Sequence, residues 1–380
     1  MEATLITNPT PQRALRGHRP ARPSPRVANS AEHQAALAVR LTPRDKWIAR
    51  MLWEHRVLTS HQVTALAFPS FRSGRQRLRE LYLWGVVDRF QPFVTVGTAP
   101  MHYVLAPAGA TVLAAEDGRD VKEMGYRHDR AFAVAHSLRL AHTVGVNEWF
   151  TTLVARARHE PGALTAWWSE TRCSRHFGDL VRPDAYGRWQ QGDRQIEWFL
   201  EYDFGTEPLA KLAGKLSGYA ALAEATGITT PVLVWLPTSR REVNARRVLA
   251  RAQAQLTEPH TVPVATAAAA LLDPDAAHPS PADEVWLPLD PEGRCADGHS
   301  PASPTPGPAS RHRSPRTTPR PARCRLRPRR CRPRHSGRRA GVRFSQDGGG
   351  RGGRGAAHSG SDRRGRRRCG RLPVHQRWRC

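Results

Sequence analysis

Asp184, Glu201 and Asp203 flank a turn, and strand periodicity brings them together. Asp184 lies in Val181-Arg182-Pro183-Asp184-Ala185. From Ile196 to Phe204 the chain alternates, with Ile196, Trp198, Leu200, Tyr202 and Phe204 on one face and Glu197, Phe199, Glu201 and Asp203 on the other. Between the two runs, Gln190-Gln191-Gly192-Asp193-Arg194 is a turn signal. A hairpin centred on Gly192 makes Asp184 and Glu201 opposite or diagonal neighbours. Carboxylates that close need a cation or a proton to offset their repulsion. Two or three of them can hold Mg2+, which takes oxygen ligands and keeps several waters. Downstream, Glu207, Lys211, Lys215 and Tyr219 recur every four residues and share one helix face. A metal-bound water is a better nucleophile, and a nearby lysine steadies charge developing on a phosphoryl group. Asp184, Glu201 and Asp203 as ligands, with Lys211 or Lys215, are thus equipment for phosphodiester hydrolysis. The plainer alternative is a solvated hairpin face with Glu–Lys helix pairs, each contributing roughly a few tenths of a kcal/mol.

A second constellation lies near the N-terminus. On a helix from Ser70 to Leu83, Gly74, Leu78, Leu81 and Tyr82 point inward. Arg72, Ser73, Gln76 and Arg79 point outward, with Arg77 on the flank. Arg and Gln read base edges, and Arg and Ser hold phosphates, so these five are candidate contacts to double-stranded DNA. The alternative is a packing module with a solvated, Arg-rich face, and Glu80 on that side would weaken a phosphate patch. Cys173 and His176 make a lone Cys-x-x-His without the second pair a zinc site needs. His136 and His142 read as packing or surface residues, and Trp167-Trp168 as divided between the two faces of one strand. No Gly-rich phosphate loop, hydrolase serine elbow or dinucleotide fingerprint is present, which argues against an ATPase or a dehydrogenase.

The elements that must position these residues fall into two regions. Over 41–120, Thr42 caps a helix begun by Pro43, Thr59 or Ser60 opens a second, and the Ser70–Leu83 helix is the third. Strand-like runs at Val86–Val96 and Met101–Leu105 and a helix from Pro107 follow. Three helices and then a hairpin is the order of a winged helix-turn-helix DNA-binding domain. Over 128–290 come a long helix from His128 to about Arg158, a strand at Leu164–Trp168, the carboxylate hairpin, a helix from Thr206, a buried strand at Pro231–Leu236 and a helix from Ser239. The fold class is α/β (α+β) with a mixed sheet.

Composition misleads if taken whole. The net charge is +26, but residues 291–380 hold 25 Arg, no Lys and four acidic residues, leaving +5 for the first 290. This Arg-, Pro- and Gly-rich tail lacks apolar periodicity and reads as disordered. It is either a basic arm or an out-of-frame translation of a GC-rich gene, since Arg outnumbers Lys 55 to 4 and five of the six Cys lie in it. Residues 1–40 also read as a disordered arm. No run approaches the ~20 apolar residues of a membrane span. The N-terminus has no apolar secretory core, and a single Cys in the first 290 residues suits a reducing cytoplasm.

Pro183-Asp184 and Glu201-x-Asp203 resemble the Pro-Asp … (Asp/Glu)-x-Lys signature of restriction-endonuclease-like nucleases. The resemblance implies metal binding by Asp184 and Glu201. Asp203 stands where the lysine belongs, and some relatives supply it from the next helix, where Lys211 and Lys215 lie. The wider stretches 181–185, 199–207, 215–219 and 230–237 look like the replication-relaxation family of actinobacterial and other Gram-positive plasmids, phages and integrative elements. That resemblance implies a DNA-binding accessory role in plasmid or mobile-element replication, relaxation or transfer, with a relaxase or replication initiator as partner. A winged-helix transcriptional regulator or protein adaptor, and an active Mg-dependent DNA endonuclease, are the alternatives.

Overall fold

The computed structural model describes residues 29–94, 97–270 and 278–289, and the backbone of two two-residue strands, β1 (His18–Arg19) and β11 (Arg329–Arg330). The remainder of the expected N-terminal arm before residue 29 and of the basic tail lies outside the described residues.

Local chemistry sets the first half. Residues 31–40 differ from the unpatterned arm their composition suggested: Ala31–Arg40 is helix α1. The Ser30 side chain accepts the His33 N–H, Leu37 is wholly buried, and the His33 and Gln34 side chains reach the Trp84 and Ala108 carbonyls at 2.8 and 3.5 Å. Helix α2 (Pro43–His55) starts with Pro43 and a reciprocal Thr42–Asp45 capping box. After β2 (Leu58–Thr59), α3 (Ser60–Ala67) has the equivalent Thr59–Gln62 box. Ser70 caps α4 (Phe71–Leu83). Strands β3 (Val87–Pro92) and β4 (His102–Leu105) pair antiparallel, β2 joins the β4 edge, and α5 (Pro107–Glu116) follows.

The expected single helix from His128 is interrupted. After α6 (Val121–Met124), the chain forms α7 (His128–Phe132), a 3-10 turn at Ala133–His136, and only then α8 (Leu140–Ala157). The Ser137 side chain accepts the Arg139 N–H and offers the backbone a turn in place of continued helix.

Strand β5 (Ala163–Ser169) leads into a short helix absent from the sequence reading, α9 (Glu170–Phe177), capped by Ser169. Strands β6 (Ala185–Gln191) and β7 (Arg194–Tyr202) form the carboxylate hairpin. Helix α10 (Leu209–Thr226), β8 (Val232–Leu236), α11 (Ser239–Ala254), β9 (Val264–Ala268) and β10 (Leu287–Pro288) complete the order. The sheet runs β10-β9-β8-β7-β6-β5, with β7, β8 and β9 parallel and the other neighbours antiparallel. The fold is therefore mixed α/β with a mixed sheet.

The alternation in β7 divides two cores. Trp198, Leu200 and Tyr202 pack with Trp149, Phe150, Trp167 and Trp235, in a cluster that continues into Leu52, Leu58 and Leu66 of the first half. Phe199 packs on the opposite side with Leu216, Tyr219 and Leu222 of α10 and Leu249 of α11. Each large side chain so buried contributes about 1.5–3 kcal/mol. Trp167 and Trp168 divide in the same way between the two clusters. No described helix is long and apolar enough to cross a membrane.

Candidate functional site

The β6–β7 register pairs Gln191 with Arg194 and ends with Ala185 opposite Leu200. One step further, Asp184 falls beside Glu201. The Asp184 amide donates to the Leu200 carbonyl at 3.1 Å. The Tyr202 amide donates back to Asp184 Oδ2 at 2.8 Å, so the carboxylate is seated on the neighbouring strand. Helix α10 approaches from the Glu201 side. A Cβ on Gly218 would lie 2.5 Å from the Leu180 carbonyl oxygen, so only glycine lets the helix come so near. That approach sets Lys215 over the carboxylates. Lys215 Nζ donates to Glu201 Oε2 and, at 3.3 Å, to the Arg182 carbonyl, and it lies 4.0 Å from Asp184 Oδ1. The Tyr219 hydroxyl donates to Glu201 Oε1 at 2.6 Å.

Helix α8 closes the other side. His142 Nε2 is 3.2 Å from Asp184 Oδ2 and 3.0 Å from the Tyr202 carbonyl. Both partners are acceptors, so Nε2 carries the proton. Arg139 Nη2 lies 3.8 Å from Asp184 Oδ1, while Nη1 donates to Glu170 at 2.8 Å.

Of the residues singled out in the sequence, Asp184, Glu201 and Lys215 converge. Asp203 and Lys211 stand apart. Asp203 lies past the end of β7, where Arg241 pairs with it and the Gly205 amide donates to it at 2.8 Å. Arg241 also donates to the Glu207 carbonyl at 2.6 Å, tying down the loop between β7 and α10. Lys211 is exposed and pairs with Glu207 at 2.7 Å. His142, Arg139 and Tyr219 enter the site without having been chosen from sequence. The Lys211–Lys215–Tyr219 spacing held the clue to Tyr219. His142 in α8 and Arg139 just before it had no local signal, because their approach depends on tertiary packing.

Environment drives the two carboxyls apart. Burial opposes ionisation of Asp184, but His142, Lys215 and the Tyr202 N–H outweigh it and hold the group down to about 2. Glu201 is pushed up to about 7, by burial first and by Asp184 beside it, against the pull of Lys215 and Tyr219. Burial works against the charged form of His142, yet Asp184 raises it above its ordinary value. Burial likewise opposes the Lys215 ammonium, and Glu201 and Asp184 raise it. The pocket thus holds one firmly ionised carboxylate, one carboxyl that titrates near neutrality, and a lysine that stays charged. Carboxyls driven apart in this way are how one site carries distinct acid–base roles.

No group of three or more His, Cys, Asp or Glu placed to hold a metal occurs among the described residues. The donor chemistry nevertheless fits Mg2+, which binds through one or two carboxylates and completes its shell with water and phosphate oxygens. Asp184 and Glu201 supply hard oxygens, and Oδ1 of Asp184 has its nearest cations at 3.8 and 4.0 Å, beyond hydrogen-bond reach.

The α4 face divides the five candidate DNA contacts. Arg72, Gln76 and Arg79 are exposed, and so is Arg75, one turn from Arg72 and Arg79, which the sequence reading passed over. Arg77 is committed inward. It donates to both carboxylate oxygens of buried Asp45, at 2.9 and 2.6 Å, and to Glu80 at 2.7 Å, and it lies over the Trp84 ring. The Ser73 hydroxyl donates to the Ser70 carbonyl at 2.9 Å as part of the cap.

A sequence comparison bears on both constellations. Residues 50–234 match the model of the replication-relaxation family. The match takes in α4, Asp184, Glu201 and Lys215 and stops within β8. No curated protein and no solved structure matches the chain.

Proposed function

We propose that the protein is a DNA-binding accessory factor in plasmid or mobile-element replication, relaxation or transfer. The N-terminal half acts as a winged-helix module, and α4 lies in the major groove of double-stranded DNA. The observation that carries this reading is the outer face of α4, where Arg72, Arg75, Gln76 and Arg79 are exposed and the three arginines make no ion pair among the described residues. Cations left unmatched on a rigid helix suit a polyanion, whose counterions they displace. The replication-relaxation match supports the setting, in which a relaxase or replication initiator would be the protein partner.

The C-terminal half is read as restriction-endonuclease-like, and the convergence of Asp184, Glu201 and Lys215 favours a second reading as a Mg-dependent DNA endonuclease. Asp184 and Glu201 would hold the ion, which lowers the pKa of bound water and polarises a phosphate. Lys215, within reach of both carboxylates, is suited to counter charge on the phosphate.

Two assays on the full chain separate these readings. Duplex DNA binding that is salt-sensitive and weakened by R72A/R75A/R79A supports the accessory role. Binding unchanged by those substitutions leaves a regulator or adaptor that docks through another surface. Nicking of supercoiled plasmid in Mg2+ that is lost in both Asp184→Asn and Glu201→Gln supports the endonuclease. Nicking that survives in both removes the pocket from the chemistry.

A further inference from the structure

Arg56 belongs to neither constellation, yet its surroundings are unusual. It directly follows α2 with φ 67° and ψ −44°, a region that side chains other than glycine seldom enter. The Val57 N–H donates to the His55 carbonyl at 2.8 Å, closing a γ-turn of the strained hand around Arg56. Asn147 of α8 braces the turn: its Nδ2 donates to the Val57 carbonyl at 2.7 Å and lies 3.4 Å from that of His55. His55 is buried and stacks on Trp167 with ring centres 3.9 Å apart. The surrounding structure therefore imposes the strain, and what the turn presents is an exposed arginine side chain. Among the described residues Arg56 makes no ion pair.

One cleft joins this turn to the carboxylate pocket. Its walls include Arg56, His142, Asn147, Glu170 and Asp184. Arg139 stands beside it, bonded to Glu170 at 2.8 Å and 3.8 Å from Asp184, with its side chain more than half exposed. Lys215 is held against the buried Glu201, whereas the Arg139–Glu170 pair is exposed on both sides and weak enough for a phosphate to take the place of Glu170.

We propose that Arg56 and Arg139 form a phosphate clamp at the mouth of this cleft, gripping the backbone of a nucleic-acid strand that passes over it beside Asp184. A guanidinium offers forked donors that match phosphate oxygens. Strained positions persist where the fold over-determines them, and they concentrate at ligand clamps. The clamp rests on the reading above that the protein binds nucleic acid. It does not depend on α4 being the groove-reading helix.

The test is a salt titration of the full chain binding a labelled DNA duplex, with melting temperature recorded for each variant. Arg56→Ala and Arg139→Ala should each lower the slope of log K against log salt by about 0.9, and the double variant by about 1.8. Arg56→Lys should keep the wild-type slope. Arg56→Gly should lose the same slope as Arg56→Ala while its melting temperature rises by about 2–4 °C, because glycine relieves the turn. A wild-type slope in Arg56→Ala, with R72A/R75A/R79A lowering it, overturns the clamp alone. Failure of the wild-type chain to bind the duplex overturns the nucleic-acid reading and the clamp with it.

Discussion

The outer face of α4 and the carboxylate pocket handle charge in opposite ways. On α4, Arg72, Arg75 and Arg79 stand exposed with no ion pair among the described residues. In the pocket each charge is answered: Asp184 by His142, Glu201 by Lys215 and Tyr219, Arg139 by Glu170. Unmatched cations in water cost little and release counterions when a polyanion arrives. Charges removed from water need partners, and those partners fix geometry and shift proton affinity. Arg77 makes the same contrast within one helix. Two residues from Arg79, it is spent on Asp45 and serves the fold.

The two regions should therefore fail differently. The largest stability loss should come from Lys215→Met, which leaves Glu201 buried without its cation. We expect about 3 kcal/mol at pH 8 by urea unfolding, and less at pH 5, where Glu201 can take up a proton. Arg77→Ala should cost about 2–3 kcal/mol by stranding Asp45, with the salt dependence of DNA binding unchanged. Gly74→Ala tests whether α4 is held rigidly. A Cβ there would sit 2.4 Å from Thr64 Oγ1, so a loss of about 1–3 kcal/mol in thermal unfolding is expected.

Acidity separates the regions further. Glu201 and Glu148 both stand at about 7 against an ordinary 4.5, with burial the leading cause for each. Raised carboxyls favour the folded state fully below about pH 4.5, and that contribution is lost as pH rises through about 7. Asp184, held down to about 2, works in reverse: its contribution is present above about 3.8 and lost as pH falls through about 2. Glu201 and Glu148 thus set a decline in stability, read as melting temperature, between about pH 4.5 and about pH 7, while His55 and His102, held neutral by burial down to about 3 and about 4, favour the folded state increasingly as pH rises to about 6.5. Glu201→Gln should flatten the decline, whereas the α4 arginine variants should leave it as it is. A decline unchanged by Glu201→Gln would show that the pocket does not titrate as described.

Much of this was legible locally. The Thr42 and Thr59 caps, the Gly192 turn and the strict alternation of β7 each depend on near neighbours, and together they place Asp184 beside Glu201. Lys215 was within reach of helical spacing once Glu201 was fixed. Other features depended on distant packing. Asp203 shares the parity of Glu201, but β7 ends before it and Arg241 of α11 claims it, which no strand pattern reveals. His142 and Arg139 reach Asp184 from the start of α8, forty-two and forty-five residues away in sequence. The Arg56 turn is held by Asn147 from the same helix, ninety-one residues on. Helix α1 was hidden by an Arg- and Pro-rich setting: its cap is local, but its anchoring on the Trp84 and Ala108 carbonyls depends on distant packing.

The most direct test of the central claim is the salt dependence of duplex DNA binding by the full chain and by R72A/R75A/R79A. The basic tail contributes equally to both, so it cancels in the difference. The account predicts that the variant folds with stability within about 0.5 kcal/mol of wild type and loses about 2.7 from the slope of log K against log salt. An equal slope in the two proteins would contradict α4 as the DNA-binding face.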